Sequence, residues 1–362
     1  MSADKYIVID IEIPQFVGNR VLDADYASRF PGASVFPCLA GHGREHGWSV
    51  LTADVFLTER PSFRQAVSLS NEFTSFLPGL ISLGVKPGVL ISGESPAVAK
   101  IFYEELRWRS APFRHAYLFR GCLSSLHRGV EGHPWLWPCP DHVLATDRPW
   151  TERRLLGMVA GFKGVWRGPR SWIMDLPSSL RSRWERLRDP SLRLADLYGL
   201  RFEFVRQFGT KPGFILRGVG WEQTMNGKCC WYRKPIRYAD PPSSCEDKLS
   251  VLGECRFALA IENVVYPGYV TEKIYDVFRS GAVPVYMGAP DIEDFVPADC
   301  FVDYRHFASP EALWNCLEGM TEARWERYRE AARMFISSAR YHRHLEKNVS
   351  LQWLGWLEEA AR

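Results

Sequence analysis

Short apolar runs separated by polar breaks recur along the chain. Residues 6–11 form a β-branched run that predicts a first strand, and residues 47–56 predict a second. Residues 88–92 predict a third, after the Pro87-Gly88 break. Glu94-Ser95-Pro96 interrupts the pattern, and residues 97–109 then carry helical periodicity. Residues 115–119 and 142–145 are shorter strand candidates, separated by a proline-punctuated loop at 134–140. A new strand pattern at 154–160 places a domain boundary near Trp150. Residues 180–188 and 191–208 read as helices, the second with Leu194, Leu197, Val205 and Phe208 on a shared side. A strand at 214–216, a loop at 240–248 opening a helix, and a helical run from 321 to about 344 follow. Strands interleaved with helices predict parallel sheets and an α/β architecture. The expected division is 1–150, 151–345 and a helical tail at 346–362.

The most informative stretch lies two-thirds along the chain. Residues 256–263, RFALAIEN, read as a buried strand, and Ser280 to Gly288 contain another. Between them, Gly268-Tyr269-Val270-Thr271-Glu272-Lys273-Ile274 reads as a polar loop opening a helix at Thr271. Thr271 is a good N-cap, and Glu272 falls in the first turn, where the helix dipole favours a carboxylate. Open α/β sheets bind nucleotides and phosphates in such loops, at the C-terminal ends of strands. Lys273 is well placed there to meet a diphosphate.

Composition narrows the classes. At 362 residues with 46 % hydrophobic and 24 % charged content, the chain is globular with ample core. Its net charge of +3 makes the whole chain no polyanion binder. From Arg148 to Arg217, however, 15 basic residues face 6 acidic ones, an excess of +9 that leaves the remainder near −6. No nucleic-acid motif accompanies that excess. Residues 170–188 mix Trp172, Ile173, Met174, Leu180, Trp184 and Leu187 with five arginines. An ordinary amphipathic segment is the preferred reading, and peripheral contact with an anionic membrane the alternative. Nine cysteines without a CxxC spacing read as reduced thiols of a cytoplasmic protein, with a disulfide around Cys229 to Cys255 left open. No apolar run reaches membrane-spanning length, and residues 1–5 lack a signal-peptide pattern. His115, His127, His133 and His142 show no metal-ligand spacing, and no Asp-x-Asp occurs in the 256–288 region. The expected metal set is therefore none.

The residues from 247 to 307 carry a resemblance. Ala260-Ile261-Glu262-Asn263, Tyr269 to Lys273, Gly281-Ala282-Val283-Pro284-Val285 and Phe295-Val296-Pro297 follow one another as in the α-1,3-fucosyltransferase family. Leu197-Tyr198-Gly199-Leu200-Arg201, with Arg217-Gly218-Val219-Gly220-Trp221-Glu222, looks like that family's helix-then-strand unit bearing a phosphate-binding arginine. Ser92-Gly93-Glu94-Ser95-Pro96 is similar to the segment holding its catalytic carboxylate. The resemblance covers roughly residues 88 to 345. It implies a GT-B fold, two Rossmann-like domains with parallel sheets facing across a cleft. It also implies inverting transfer of L-fucose from GDP-fucose to a sugar hydroxyl of an oligosaccharide or glycan acceptor, with no required metal or other cofactor. The sequence departs from the family at Val264-Val265-Tyr266-Pro267, and at Gly161-Phe162-Lys163-Gly164, where an Asn-rich turn is usual.

The chemistry needs a base for the acceptor hydroxyl and positive charge for the departing diphosphate. Glu94 is the expected base, although a loop glutamate capping the next helix would look the same. Arg201, a bidentate fork, and Lys273, a compact point charge, are the expected phosphate pair. Asn263, Tyr269, Glu272 and Lys163 are further donor-binding candidates, and Gly218 and Gly220 would let backbone approach the nucleotide. Glu262 reads equally well as structural, and Trp135, Trp137 and Trp221 as core. Two alternatives stay open: a same-fold transferase using another GDP-sugar, and a catalytically silent GDP- or sugar-binding protein.

Overall fold

The computed structural model describes residues 4–141, 148–162, 195–225 and 235–362. The sequence expectations at Lys163, His142, Cys229, Cys230 and the segments 142–145, 170–188 and 191–194 lie outside those residues. The chain divides into two compact units. The first comprises Met1–Asp141, Pro267–Glu272 and Ala339–Arg362; the second comprises His142–Tyr266 and Lys273–Ser338. The first unit thus takes in two segments, 267–272 and 339–345, that the sequence reading placed in the C-terminal domain.

The first unit is built on six parallel strands: β1 (Lys5–Asp10), β2 (Ser49–Thr52), β3 (Gln65–Asn71), β4 (Lys86–Ile91), β5 (His115–Leu118) and β6 (Glu131–Pro134). Their order is β2-β1-β3-β4-β5-β6. Apolar runs such as Ile7-Val8-Ile9 and Val89-Leu90-Ile91 are buried on both faces, as parallel sheets require. The QAVSLSN alternation of β3 suggests a solvated face. Ser68 and Ser70 are nonetheless fully buried, their hydroxyls 3.2 Å apart. β6 was passed over because it is a short, mostly exposed edge strand with almost no apolar residues.

The expected strand at 47–56 is corrected: it stops at Thr52. Thr52 is extended at φ −75°, ψ 154°, and the helix Ala53–Glu59 follows, with Asp54 in its first turn and Ala53 and Phe56 facing inward. The helical run expected from 321 to about 344 is broken into Glu322–Ile336 and a short helical turn Ala339–His342, and the expected tail is the helix Glu346–Ala361. That final helix packs on β3, β4 and the helix Val35–Glu45. Its Trp353 meets Phe36, Tyr117 and Trp135 at ring-centroid distances of 5.8, 6.0 and 6.3 Å. Cys139 N donates to His344 O and Glu346 N to Cys139 O, fixing where the helix begins.

The second unit holds β7 (Arg154–Val159), β8 (Ala195–Asp196), β9 (Phe214–Arg217), β10 (Cys255–Ile261), β11 (Val264–Val265), β12 (Val283–Met287) and β13 (Val302–Asp303). Five of them form a parallel sheet ordered β13-β12-β10-β7-β9, while β8 and β11 pair antiparallel. The helix expected at 191–208 starts only at Tyr198, because Leu197 N is drawn to Asn263 O and β8 occupies the preceding residues. Phe204, Phe208, Phe257 and Val285 lie in its core. Cys255 is a buried free thiol pushed up to about 12 by burial, an inert packing group.

In chain order within each unit, both main sheets follow the arrangement 2-1-3-4-5, extended by a sixth strand in the first. The order reverses beside the first strand, between β1 and β3 in one unit and between β7 and β10 in the other. Ligands of open α/β sheets bind outside the strand C-termini at such reversals.

The role of the last helix is testable. Trp353→Ala should cost about 3–5 kcal/mol. Leu351→Ala, on the exposed side of the same helix, should stay within about 0.5 kcal/mol. Denaturant unfolding of the two variants checks the contrast.

Candidate active site

In the second unit, β7 ends at Val159 and β10 at Ile261, side by side at the reversal point. The pocket there is lined by Met158, Ala160, Leu259 and Ile261 below, and by Arg201, Lys248 and Lys273. Three cationic side chains therefore share one concavity at a sheet's C-terminal edge.

Each cation is held in place by its neighbours. Arg201 lies in the first turn of the helix Tyr198–Phe208 and is only 6 % exposed. Its Nη2 donates to Ile261 O at 2.5 Å and to Asn263 Oδ1 at 2.9 Å, and its guanidinium lies 5.2 Å from the Tyr198 ring centre. Asn263 is tied in turn through its carbonyl to Leu197 N. Lys273, in the first turn of the helix Glu272–Arg279, pairs with Glu262 at 3.0 Å. Glu262 is fully buried, and its backbone N donates to Met287 O. Breaking a pair that contains a buried carboxylate is strongly destabilising. Lys248 pairs with Asp276 at 2.7 Å. Asp247, just ahead of Lys248, caps the helix Lys248–Gly253 by accepting from Ser250 N.

Gly218 and Gly220 follow β9 on the same edge. Gly218 has φ +134°, and a Cβ there would come within 2.1 Å of Ala160 O, so only glycine fits. Its N–H donates to Ser243 O, and Trp221 Nε1 donates to Ala160 O at 2.6 Å. These glycines thus bring β9 close to the end of β7.

Tyr269 and Glu272 sit in the segment that joins the first unit. Tyr269 is buried edge-on against Phe119, with centroids 4.8 Å apart. A Cβ on Gly268 would lie 2.8 Å from Arg120 N, and Gly121 N donates to Pro267 O. Close backbone approach therefore explains Gly268. The structure brings Arg201, Asn263 and Lys273 together, with Gly218 and Gly220 nearby, and assigns Tyr269 and Glu272 to the other unit.

The first unit gathers carboxylates at the matching edge of its sheet. Asp10 ends β1, Glu72 follows β3, and Glu94 follows β4. Glu94 is exposed; its backbone N donates to Ser92 Oγ, and its carbonyl accepts from Tyr103 Oη at 2.7 Å. Glu72 was missed in the sequence, since the strand before it went unread. It takes a left-handed φ of +65°, rare for a non-glycine residue and a form of strain that clusters at functional sites. Its carboxylate accepts from Ser92 Oγ at 2.9 Å. Burial raises its pKa above the ordinary range, and the charge of Glu94 adds to the rise. Asp10 is pushed up to about 6 by burial, against the lowering effect of hydrogen bonds from Thr74 and Ser70. Its Oδ2 is buried without a partner.

Known proteins resemble this chain first in fold and then, over a shorter stretch, in sequence. An α-glucosyltransferase solved with UDP-glucose and DNA containing an abasic site aligns over 99 % of this chain and 99 % of its own, with TM-score 0.54 and 11 % identity. The likeness concerns the fold, which is of the GT-B glycosyltransferase type. Residues 224–347 match the C-terminal model of glycosyltransferase family 10 (fucosyltransferase). GDP-fucose protein O-fucosyltransferase 3 of Xenopus laevis is 39 % identical over 90 residues, 24 % of this chain and 19 % of that protein. The 4-galactosyl-N-acetylglucosaminide 3-alpha-L-fucosyltransferase 9 of Mus musculus is 37 % identical over 72 residues, 19 % of this chain and 20 % of that protein. The chain spans about a fifth of the length of these curated relatives.

Asp10 gives the site a pH signature. A carboxyl whose folded pKa lies above its unfolded value favours folding most when protonated. Its contribution should be complete below about pH 4 and lost as pH rises through about 6, a change on the order of 3 kcal/mol. Asp10→Asn should flatten unfolding free energy over that window; an unchanged slope would contradict the assignment.

Proposed function

We propose that the protein is an inverting, metal-independent glycosyltransferase that moves L-fucose from GDP-fucose to a hydroxyl, O3 of GlcNAc or Glc, of a glycan acceptor. The observation that carries this reading is the shared pocket of Arg201 and Lys273 at the order reversal of the second sheet. A cationic concavity there suits a nucleoside diphosphate, and Lys273 lies within the region matching the fucosyltransferase family.

Glu94 takes the proton of the acceptor hydroxyl. The resulting oxygen attacks the fucose anomeric carbon from the face opposite the phosphate, the bond from that carbon to the phosphate oxygen breaks, and GDP departs with both electrons. Arg201 and Lys273 receive the charge that develops on the diphosphate. Their fixed hydrogen bonds spare the cost of reorganising during the reaction. Asn263 holds the Arg201 fork, and Gly218 and Gly220 let main chain approach the nucleotide. Lys163, Tyr269 and Glu272 complete the proposed donor set. No cofactor beyond the donor is invoked. No helix among the described residues is long and apolar enough to cross a membrane; a cytoplasmic location, with peripheral contact at a membrane, belongs to this proposal.

A second reading, transfer from another GDP-sugar, is favoured by one feature. Val264–Val265, where the sequence departs from the family, forms β11 beside the Arg201 helix start. Released GDP, measured over a panel of GDP-sugars with protein and N-acetylglucosaminide acceptors, separates the readings. GDP-fucose should be the productive donor; GDP binding without turnover on any acceptor would leave a silent binding protein.

Lys273→Ala and Arg201→Ala should each lower kcat by about 10²–10³ and weaken GDP binding. Glu94→Gln should lower kcat by about 10²–10⁴ while GDP affinity stays near wild type. Normal turnover in Glu94→Gln would refute the base assignment.

A further inference from the structure

One cluster lies outside the site just described. β5 and β6 are parallel neighbours in a register that sets His115 opposite Glu131 and Tyr117 opposite His133. Residues two apart on a strand share a face, so Glu131 and His133 both meet His115. The three side chains converge: His115 Nδ1 lies 3.2 Å from His133 Nε2 and 3.7 Å from a Glu131 oxygen, and His133 Nε2 lies 3.8 Å from the other Glu131 oxygen. Two ligands of a tetrahedral zinc ion, each about 2.0–2.1 Å from the metal, are roughly 3.3 Å apart. The cluster has nearly that spacing.

The surroundings suit metal ligation in three further ways. His115 is completely buried, and its other nitrogen, Nε2, has no hydrogen-bond partner but lies 3.5 Å from a Glu359 oxygen. A carboxylate behind a histidine is the usual support of a metal-bound imidazole. The Trp356 ring stacks on His133 at 4.0 Å and 17°, fixing its plane. Glu131 is 58 % exposed and leaves the cluster open to ions from solvent.

We propose that His115, His133 and Glu131 form a binding site for a divalent transition metal of the zinc type, with Glu359 as a positioning residue. The site sits at the starts of β5 and β6, at the end of the sheet opposite to Asp10, Glu72 and Glu94. It therefore serves stability rather than transfer, clamping edge strand β6 to β5 and, through Glu359, to the final helix. The linear spacing of the histidines hid it, because only the strand register brings them together.

The test uses untagged full-length protein stripped of metal with a chelator and titrated with Co²⁺, a spectroscopic stand-in for Zn²⁺. The expected result is one saturable equivalent, seen as visible d–d absorption of a low-symmetry site and displaced by Zn²⁺. His133→Gln and Glu131→Gln should each weaken it by at least about tenfold. Zn²⁺ should raise the thermal midpoint of wild type and not of these variants. Glu131 is exposed enough that its variant will fold even if a histidine variant does not. Absence of the d–d signal in wild type, or an undiminished signal in both variants, would overturn the proposal and leave a histidine pair sharing one proton.

Discussion

The end of β10 governs the rest of the second unit's chemistry. Its last carbonyl, Ile261 O, and the next two side chains, Glu262 and Asn263, hold Arg201 and Lys273 at the mouth of a parallel sheet. Cations placed this way would repel one another and shed their water at a cost. The strand supplies what offsets that cost: a carbonyl dipole, an amide oxygen and one buried carboxylate. An arriving diphosphate would find charge already oriented, so little reorganisation remains for the moment of transfer.

The two units reuse one topology with opposite electrostatics. Each main sheet reverses its order beside its first strand, and each places ionisable groups at that point. In the first unit these are acids, two of them pushed upward by burial. In the second, three cations line the pocket at that point, beside the buried Glu262. A proton acceptor and a leaving-group stabiliser are what glycosyl transfer from a nucleotide sugar requires.

Much of this was legible in the sequence where the signal is local. The apolar run before Asn263, the loop glycines and Lys273 announce a strand, a turn and a helix start in consecutive residues. The doubled α/β architecture followed from strand and helix alternation. Non-local features were not legible. β3 hides behind Ser68 and Ser70, which look solvated but are buried, and with it went Glu72. Ala53 continues an apolar run yet begins a helix, because the chain turns at Thr52. The segment Pro267–Glu272 carries no mark of the unit it joins; only its close approach to Phe119 and Arg120 reveals it. The same limit concealed His115 and His133, neighbours only through parallel register.

On the function proposed, the second unit's cationic pocket receives the diphosphate. A crystal structure of the protein with GDP tests this most directly. The account predicts phosphate oxygens within hydrogen-bond distance of both Arg201 and Lys273, at the ends of β7 and β10. A nucleotide bound elsewhere, with those two side chains still held by Ile261, Glu262 and Asn263, would contradict it.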